Sequence, residues 1–266
     1  MKRGFIALVK AILFLLFFEL VMQTIGSLYL QIIRATAGAD YVKVYYYYAN
    51  MLTIVADVVS VGVLLLLLRR LGFGIKDELG VRPITPLSAG ACLVAGVALL
   101  IFVNILLAIL PIPEDWWSGY SSSTQSLSRG PLWAQILFTC VAAPVCEEIV
   151  FRGLVYNTCR RAMPMALAVI IGALFFGAIH NQVLWISYAV FCGFFLVMAY
   201  EVTGSLYGSI LMHVGFNAFS KFCPSGINFL TPLWLLISAA VLVVCFALMV
   251  NKGPVRAIEE SSEVSL

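Results

Sequence analysis

Ionisable side chains that could do chemistry lie inside the most apolar parts of this sequence. Glu147, Glu148 and Arg152 fall within one such run. Each charge at the centre of a bilayer costs roughly 2.5–3.5 kcal/mol on insertion scales, so three together need partners or a function. Glu148 and Arg152 are four residues apart with the acid first, which predicts an ion pair on one helix face. Glu147 lies about 100° further round that helix, so we expect its carboxylate to face something else.

Both histidines of the chain also fall in apolar runs. His180 ends one run, and His213 begins a segment in which Asn217 follows four residues later, on the same face of a helix. A lone buried histidine is more often a core residue than a ligand. Ionisable residues within membrane-spanning segments usually mark function, however, so we interpret the two histidines as functional.

One free carboxylate, two imidazoles and an amide form a set suited to hydrolysis. Glu147 could take a proton from water with help from His180, so that hydroxide attacks a carbonyl carbon. His213 and Asn217 could then donate hydrogen bonds to the developing oxyanion. Two histidines and one glutamate also match the ligands of several zinc hydrolases, so zinc stays possible although the H-E-x-x-H motif is absent. Neither a phosphate-binding loop nor a serine-hydrolase elbow occurs.

Hydrophobic helices must position these side chains. Hydrophobic residues make up 62% of the 266 residues and charged residues only 11%, a composition far more apolar than that of a soluble domain. A bilayer core of about 30 Å needs about 20 residues of helix. Apolar runs predict eight spans, near 5–25, 44–68, 84–110, 132–158, 164–180, 183–200, 205–220 and 231–250. The sequence therefore predicts an all-α polytopic transmembrane helical bundle of about eight spans, with no nucleic-acid partner.

Basic residues between the runs predict the orientation of the chain. With the N-terminus inside, the cytoplasmic segments hold Lys2, Arg3, Lys10, Arg69, Arg70, Lys76, Arg82, Arg160, Arg161, Lys252 and Arg256. The outer segments hold only Arg34, Lys43, Arg129 and Lys221. By the positive-inside rule, this distribution predicts a multi-pass protein of the cell membrane with both termini cytoplasmic.

The single membrane domain divides into three parts. We expect N-terminal helices and loops over 1–130, a catalytic core over 131–221, and a last helix with an acidic, disordered tail over 222–266. Trp116 and Trp117, in the longest polar stretch, are interpreted as interfacial anchors. Glu201, at the end of a run, is expected to be interfacial and solvated.

Three short motifs in this order resemble the CPBP family of intramembrane proteases, which includes CAAX proteases and bacteriocin-processing enzymes. The family signature is E-E-x-x-x-R, then F-x-x-x-H, then H-x-x-x-N, each on a separate transmembrane helix. This sequence has the glutamate pair with Arg152, then Phe176 with His180, then His213 with Asn217. The resemblance covers 132 to about 220, and the segment 72–84 is similar to a charged loop of the family.

The resemblance implies a helical bundle of about eight spans enclosing an intramembrane catalytic cavity. It also implies an endopeptidase that hydrolyses membrane-associated protein or peptide substrates, similar to a CAAX-type prenyl endopeptidase. It implies that Glu147 and His180 activate water and that His213 and Asn217 form the oxyanion hole. Glu148 and Arg152 would then support these residues. The site is similar to that of a glutamate-type protease, with a metal-dependent protease as the alternative.

Two other classes of protein are compatible with the same residues. A non-catalytic immunity or regulatory scaffold could keep such a site without cleaving anything. A proton-coupled transporter would place paired acids and histidines in its helices on equal physical grounds.

Overall fold

Every apolar run of the sequence forms a helix in the computed structural model, which describes residues 2–223 and 232–250. The helices, in chain order, are α1 (Lys2–Ala37), α2 (Tyr41–Arg70), α3 (Ile75–Leu79), α4 (Pro86–Ile109), α5 (Glu114–Leu127), α6 (Leu132–Arg160), α7 (Met165–Ala178), α8 (Val183–Thr203), α9 (Leu206–Phe222) and α10 (Pro232–Met249). No strand occurs in the described ranges, and the all-α fold is confirmed. The acidic tail and the first residue of the last expected span lie outside the described residues.

Not all of the helices are long and apolar enough to cross a bilayer. Within the described residues, five stretches are long and apolar enough: α1 with α2 as one stretch, α4, α6, α8 and α10. α7 is apolar but has only 14 residues, and α9 has 17. A helix of 14 residues is about 21 Å long, short of the hydrocarbon core. The multi-pass helical bundle is therefore confirmed, whereas the number of eight spans stays a prediction.

The helix that carries both glutamates is irregular. Two π-helical stretches of α6, Phe138–Ala142 and Ile149–Tyr156, flank a short α-helical segment, Ala143–Glu148. Pro144 within that segment has no backbone N–H and cannot make a regular helical hydrogen bond. π-helical turns are rare and often mark functional sites. The two glutamates thus lie where the spacing of side chains along α6 changes.

The connection between α8 and α9 is buried, because α3 and the residues after it cover it. The N–H of Leu206 donates to the carbonyl of Gly80 at 3.0 Å, and the hydroxyl of Ser205 donates to the carbonyl of Arg82 at 2.5 Å. Both Ser205 and Leu206 are almost fully buried. α9 therefore begins below the protein surface, which brings its histidine close to the depth of the glutamates on α6.

Glu201, at the end of α8, corrects an expectation. The hydroxyl of Tyr156 donates to its carboxylate at 2.8 Å, and Nε of Arg160 lies 3.7 Å from the same oxygen. Only 15% of the Glu201 side chain is exposed. The prediction of a solvated glutamate is wrong, because groups on α6 surround the carboxylate.

Glycines let α4 and α9 approach each other closely. A methyl group added at Gly96 would collide with the carbonyl oxygen of Met212, and one added at Gly215 would collide with that of Leu93. Small residues at such crossings allow helix backbones to pack tightly in membranes. The position of α9, and with it that of His213, therefore depends on the absence of side chains at this crossing.

Alanine substitutions at two glycines of α4 should differ in their effects on stability. Gly96→Ala should destabilise the protein by about 1–3 kcal/mol, because its new methyl group would overlap the backbone of α9. Gly90→Ala, on the same helix with nothing within 4 Å of the new group, should leave stability unchanged or raise it. Thermal unfolding of both variants in detergent measures the difference. Equal unfolding temperatures would contradict the close crossing.

Candidate active site

A cavity of about 340 Å³ lies among helices α4 to α9 and contains four of the predicted site residues. Glu147 comes from α6, His180 from just beyond the end of α7, and His213 and Asn217 from α9. The structure therefore brings these four side chains to one enclosed space within the bundle.

The other two predicted residues, Glu148 and Arg152, lie behind the cavity and are completely buried. Nη1 of Arg152 donates to Oε1 of Glu148 at 2.8 Å, which is the pair expected from their spacing. Nη2 donates to the carbonyl of Gly193 on α8 at 3.1 Å, and the guanidinium lies 4.4 Å from the ring centroid of Phe176 on α7. A buried ion pair needs such further contacts to offset its desolvation. The pair thus ties α6 to α7 and α8.

Oε1 of Glu148 also contacts Nδ1 of His213 at 2.9 Å, a contact that sequence reasoning missed. Because a carboxylate only accepts hydrogen bonds, His213 donates from Nδ1. Its second nitrogen, Nε2, then points toward Glu147, whose Oε2 lies 3.9 Å away. Glu148 therefore fixes the orientation and the tautomer of a histidine that lines the cavity. The two acids stand on either side of that ring.

His180 is fixed by its own helix. Its Nδ1 lies 3.1 Å from the carbonyl oxygen of Phe176, one turn earlier at the end of α7. A carbonyl also only accepts, so Nδ1 carries the proton and Nε2 is the acceptor nitrogen of the neutral ring. The ring of Trp185 lies beside it, 5.0 Å between centroids. Within the described residues no hydrogen bond joins His180 to Glu147, so any cooperation between them acts across the cavity.

Asn217 is held by the irregularity of α6. In the first π-helical stretch the N–H of Ala143 donates five residues back, to the carbonyl of Phe138. The carbonyl of Thr139 would take its bond from residue 144 in the same pattern, but Pro144 has no N–H. The side-chain amide of Asn217 donates to that carbonyl instead, at 2.9 Å. The proline thereby creates the acceptor that positions Asn217.

The wall of the cavity nearest α5 is aromatic, and the sequence analysis did not identify it. Tyr120 of α5 packs edge-on against Trp185 and Tyr188 of α8, with centroids 6.0 and 5.7 Å apart. Burial raises the pKa of the Tyr120 phenol, so its hydroxyl stays protonated. Thr124 of α5 and Asn104 of α4 add polar groups to the lining. The spacing of Trp117 and Tyr120, one helical turn apart, was the signal available in the sequence.

A metal ion has little support from the geometry. Glu147, His180 and His213 line the same cavity. Among the described residues, however, no three histidine, cysteine, aspartate or glutamate side chains come together in a way that could hold a metal ion. As they stand, the side chains do not fit zinc, and zinc involvement stays untested.

The fold is that of a multi-pass helical membrane protein, and its bundle holds four of the predicted site residues around one cavity. Residues 129–219 match the family model of type II CAAX prenyl endopeptidases, described as Rce1-like. The match includes all six predicted site residues and supports assignment to the CPBP/CAAX protease family, and with it an intramembrane protease function in general. No curated protein and no solved structure matches the chain. The expected three-part division of the domain stays a prediction.

Breaking the buried ion pair should cost far more stability than breaking an exposed one. Arg152→Met leaves Glu148 without its cation in the core and should destabilise the protein by about 3–5 kcal/mol. Arg161→Met removes a partner of Glu78 at a side chain that is 44% exposed, and should cost about 1 kcal/mol or less. Thermal unfolding in detergent compares the two variants. Similar losses of stability in the two variants would show that the buried Glu148–Arg152 pair does not stabilise the core.

Proposed function

We propose that this protein is an intramembrane endopeptidase that hydrolyses peptide bonds of membrane-associated substrates at the cell membrane. The observation that carries the proposal is the convergence of Glu147, His180, His213 and Asn217 on one cavity between apolar helices. The family match supports the same reaction class. The roles of the individual residues are part of the proposal.

The nucleophile would be a water molecule between Glu147 and His180. The carboxylate of Glu147 takes a proton from that water while the acceptor nitrogen of His180 orients it. The water oxygen forms a bond to the scissile carbonyl carbon, and the carbonyl oxygen becomes an oxyanion. When the carbon–nitrogen bond breaks, the proton held by Glu147 moves to the leaving amine. The water is thereby divided between the two new chain ends.

The oxyanion would be stabilised by α9. Asn217 uses one amide hydrogen on the carbonyl of Thr139, and its second amide hydrogen remains for the oxyanion. His213 already donates Nδ1–H to Glu148, so its Nε2 donates when the ring carries both protons. The carboxylate of Glu148, which accepts from Nδ1, provides the negative charge with which such a ring pairs. Donors fixed before the reaction stabilise the transition state without reorganisation.

The cavity limits the substrate. Its volume of about 340 Å³ is near the lower end of the range of about 300–1,000 Å³ for ligand sites, so it suits a short, extended peptide segment. The matched family is named for CAAX prenyl endopeptidases. A prenylated peptide is therefore one substrate to test, beside membrane-anchored peptides without a prenyl group.

Glu147→Gln should abolish most of the peptidase activity, because an amide cannot take the proton from water. We expect a loss of about 10²–10⁴-fold in kcat, the usual contribution of a general base. Glu19→Gln is the matched control, since Glu19 is another acid within an apolar helix and does not line the cavity. Cleavage of a membrane-anchored peptide library by purified protein in nanodiscs, with and without a zinc chelator, measures both variants.

Each outcome of that experiment has a consequence. Loss of peptidase activity in Glu147→Gln but not in Glu19→Gln, with no effect of chelator, supports a glutamate-type protease. Loss of wild-type activity with chelator would support the metal-dependent alternative. Failure of folded wild-type protein to cleave any peptide would favour a scaffold or a proton-coupled transporter.

Asn217→Ala should lower kcat by about 10²–10³-fold with little change in KM, because its amide acts on the oxyanion and not on the bound substrate. Gln135→Ala is the control, since Gln135 is a buried amide on α6 that donates to the carbonyl of Gly130 and does not line the cavity. Steady-state kinetics on a cleaved library peptide separate kcat from KM. An effect on KM alone would argue against an oxyanion role.

A further inference from the structure

The cavity occupies only one half of the bundle. Successive helices run in opposite directions, yet each contributes to the cavity from the part of its length nearest α5. The contributing ranges are 99–107 of α4, 138–147 of α6, 176–180 at the end of α7, 185–196 of α8 and 213–220 of α9. The cavity therefore belongs to the end of the bundle that α5 covers, here called the α5 end.

The opposite end, here called the α3 end, is closed by packing. Arg161, after α6, donates two hydrogen bonds to the carboxylate of Glu78 on α3, at 2.7 and 2.8 Å. Between these contacts and the cavity, the second half of α6 buries Phe151, Leu154 and Tyr156 almost completely. A substrate cannot reach Glu147 from the α3 end without displacing this core.

Charge distinguishes the two ends. The connections at the α3 end carry Arg69, Arg70, Lys76, Arg82, Arg160 and Arg161. The basic start of α1 lies there as well, since Gly4 packs against Met163. The α5 end carries Arg34, Lys43, Arg129 and Lys221, of which Arg129 stacks on Tyr46 and Lys221 donates to Gln135. The positive-inside rule makes the α3 end cytoplasmic.

We propose that the site takes its substrates from the non-cytoplasmic face of the membrane: extended juxtamembrane peptide segments of membrane-anchored proteins that enter at the α5 end. This inference rests on the proposed endopeptidase function. The entering segment passes the aromatic side chains of Tyr120 and Tyr188. It reaches Glu147 from the α5 end, on the side away from the buried Glu148–Arg152 pair.

The orientation is tested by labelling intact cells with a membrane-impermeant maleimide. Ser122→Cys on α5 and Lys76→Cys on α3 introduce thiols at exposed positions on opposite ends, and wild type gives the background from the native cysteines. We expect Ser122→Cys to be labelled in intact cells and Lys76→Cys only after the cells are permeabilised. The reverse pattern overturns the proposal.

The direction of substrate entry is tested with two single-span reporters. Both carry the library peptide that the purified protein cleaves, placed beside the membrane on the outer face in one and on the cytoplasmic face in the other. We expect only the outer-face reporter to be cleaved in cells, with cleavage lost in Glu147→Gln. In detergent, where neither face is hidden, both reporters should be cleaved.

The two reporters separate this inference from the proposed function. Cleavage of both in detergent, combined with cleavage of the cytoplasmic reporter in cells, keeps the endopeptidase and overturns the outer-face substrate. Cleavage of neither reporter in detergent by folded protein overturns the endopeptidase and the inference with it.

Discussion

One buried carboxylate organises this protein. Glu148 accepts hydrogen bonds from Arg152 and His213 with the same oxygen, and it is fully buried. A charge at this depth is tolerated only with partners, so any arrangement of the helices that separates α6 from α9 removes one of the two hydrogen-bond donors to this buried carboxylate. Arg152 extends the constraint to α8 through Gly193. The positions of the helices around the cavity thus depend on the pairing of Glu148, although Glu148 itself does not line the cavity.

The backbone of α6 provides the second constraint. A regular helix has no spare carbonyl in its middle, whereas the π-helical turn before Pro144 leaves that of Thr139 without a backbone donor. Asn217 fills this position. Two polar contacts one turn apart on α9, from His213 and Asn217, therefore meet two acceptors on α6. The register between these helices is fixed by hydrogen bonds, and the glycines at the α4–α9 crossing supply the close approach.

The sequence predicted the helices and supplied the candidate site residues because both leave local patterns. Apolar runs mark the helices, and a spacing of four residues predicted the Glu148–Arg152 pair. The contact between Glu148 and His213 joins residues 65 positions apart, and no local pattern encodes it. For the aromatic wall, the spacing of Trp117 and Tyr120 was a local signal, but the rings that Tyr120 packs against, Trp185 and Tyr188, come from a distant helix. Glu201 was misjudged because its partner Tyr156 approaches from another helix.

The two ends of the bundle divide the tasks of stability and access. At the α3 end, side chains and backbone carbonyls of α3, α6 and α8 hydrogen-bond across the connections, and large side chains fill the space beneath them. Such packing leaves no room for a ligand. At the α5 end the helices enclose a cavity, and a single helix of 14 residues with no fully buried side chain covers it. Few buried contacts make a segment the least costly to displace. In the proposed endopeptidase, charges anchored from the closed end and a cavity covered by α5 would let a substrate enter without disturbing the Glu148 network.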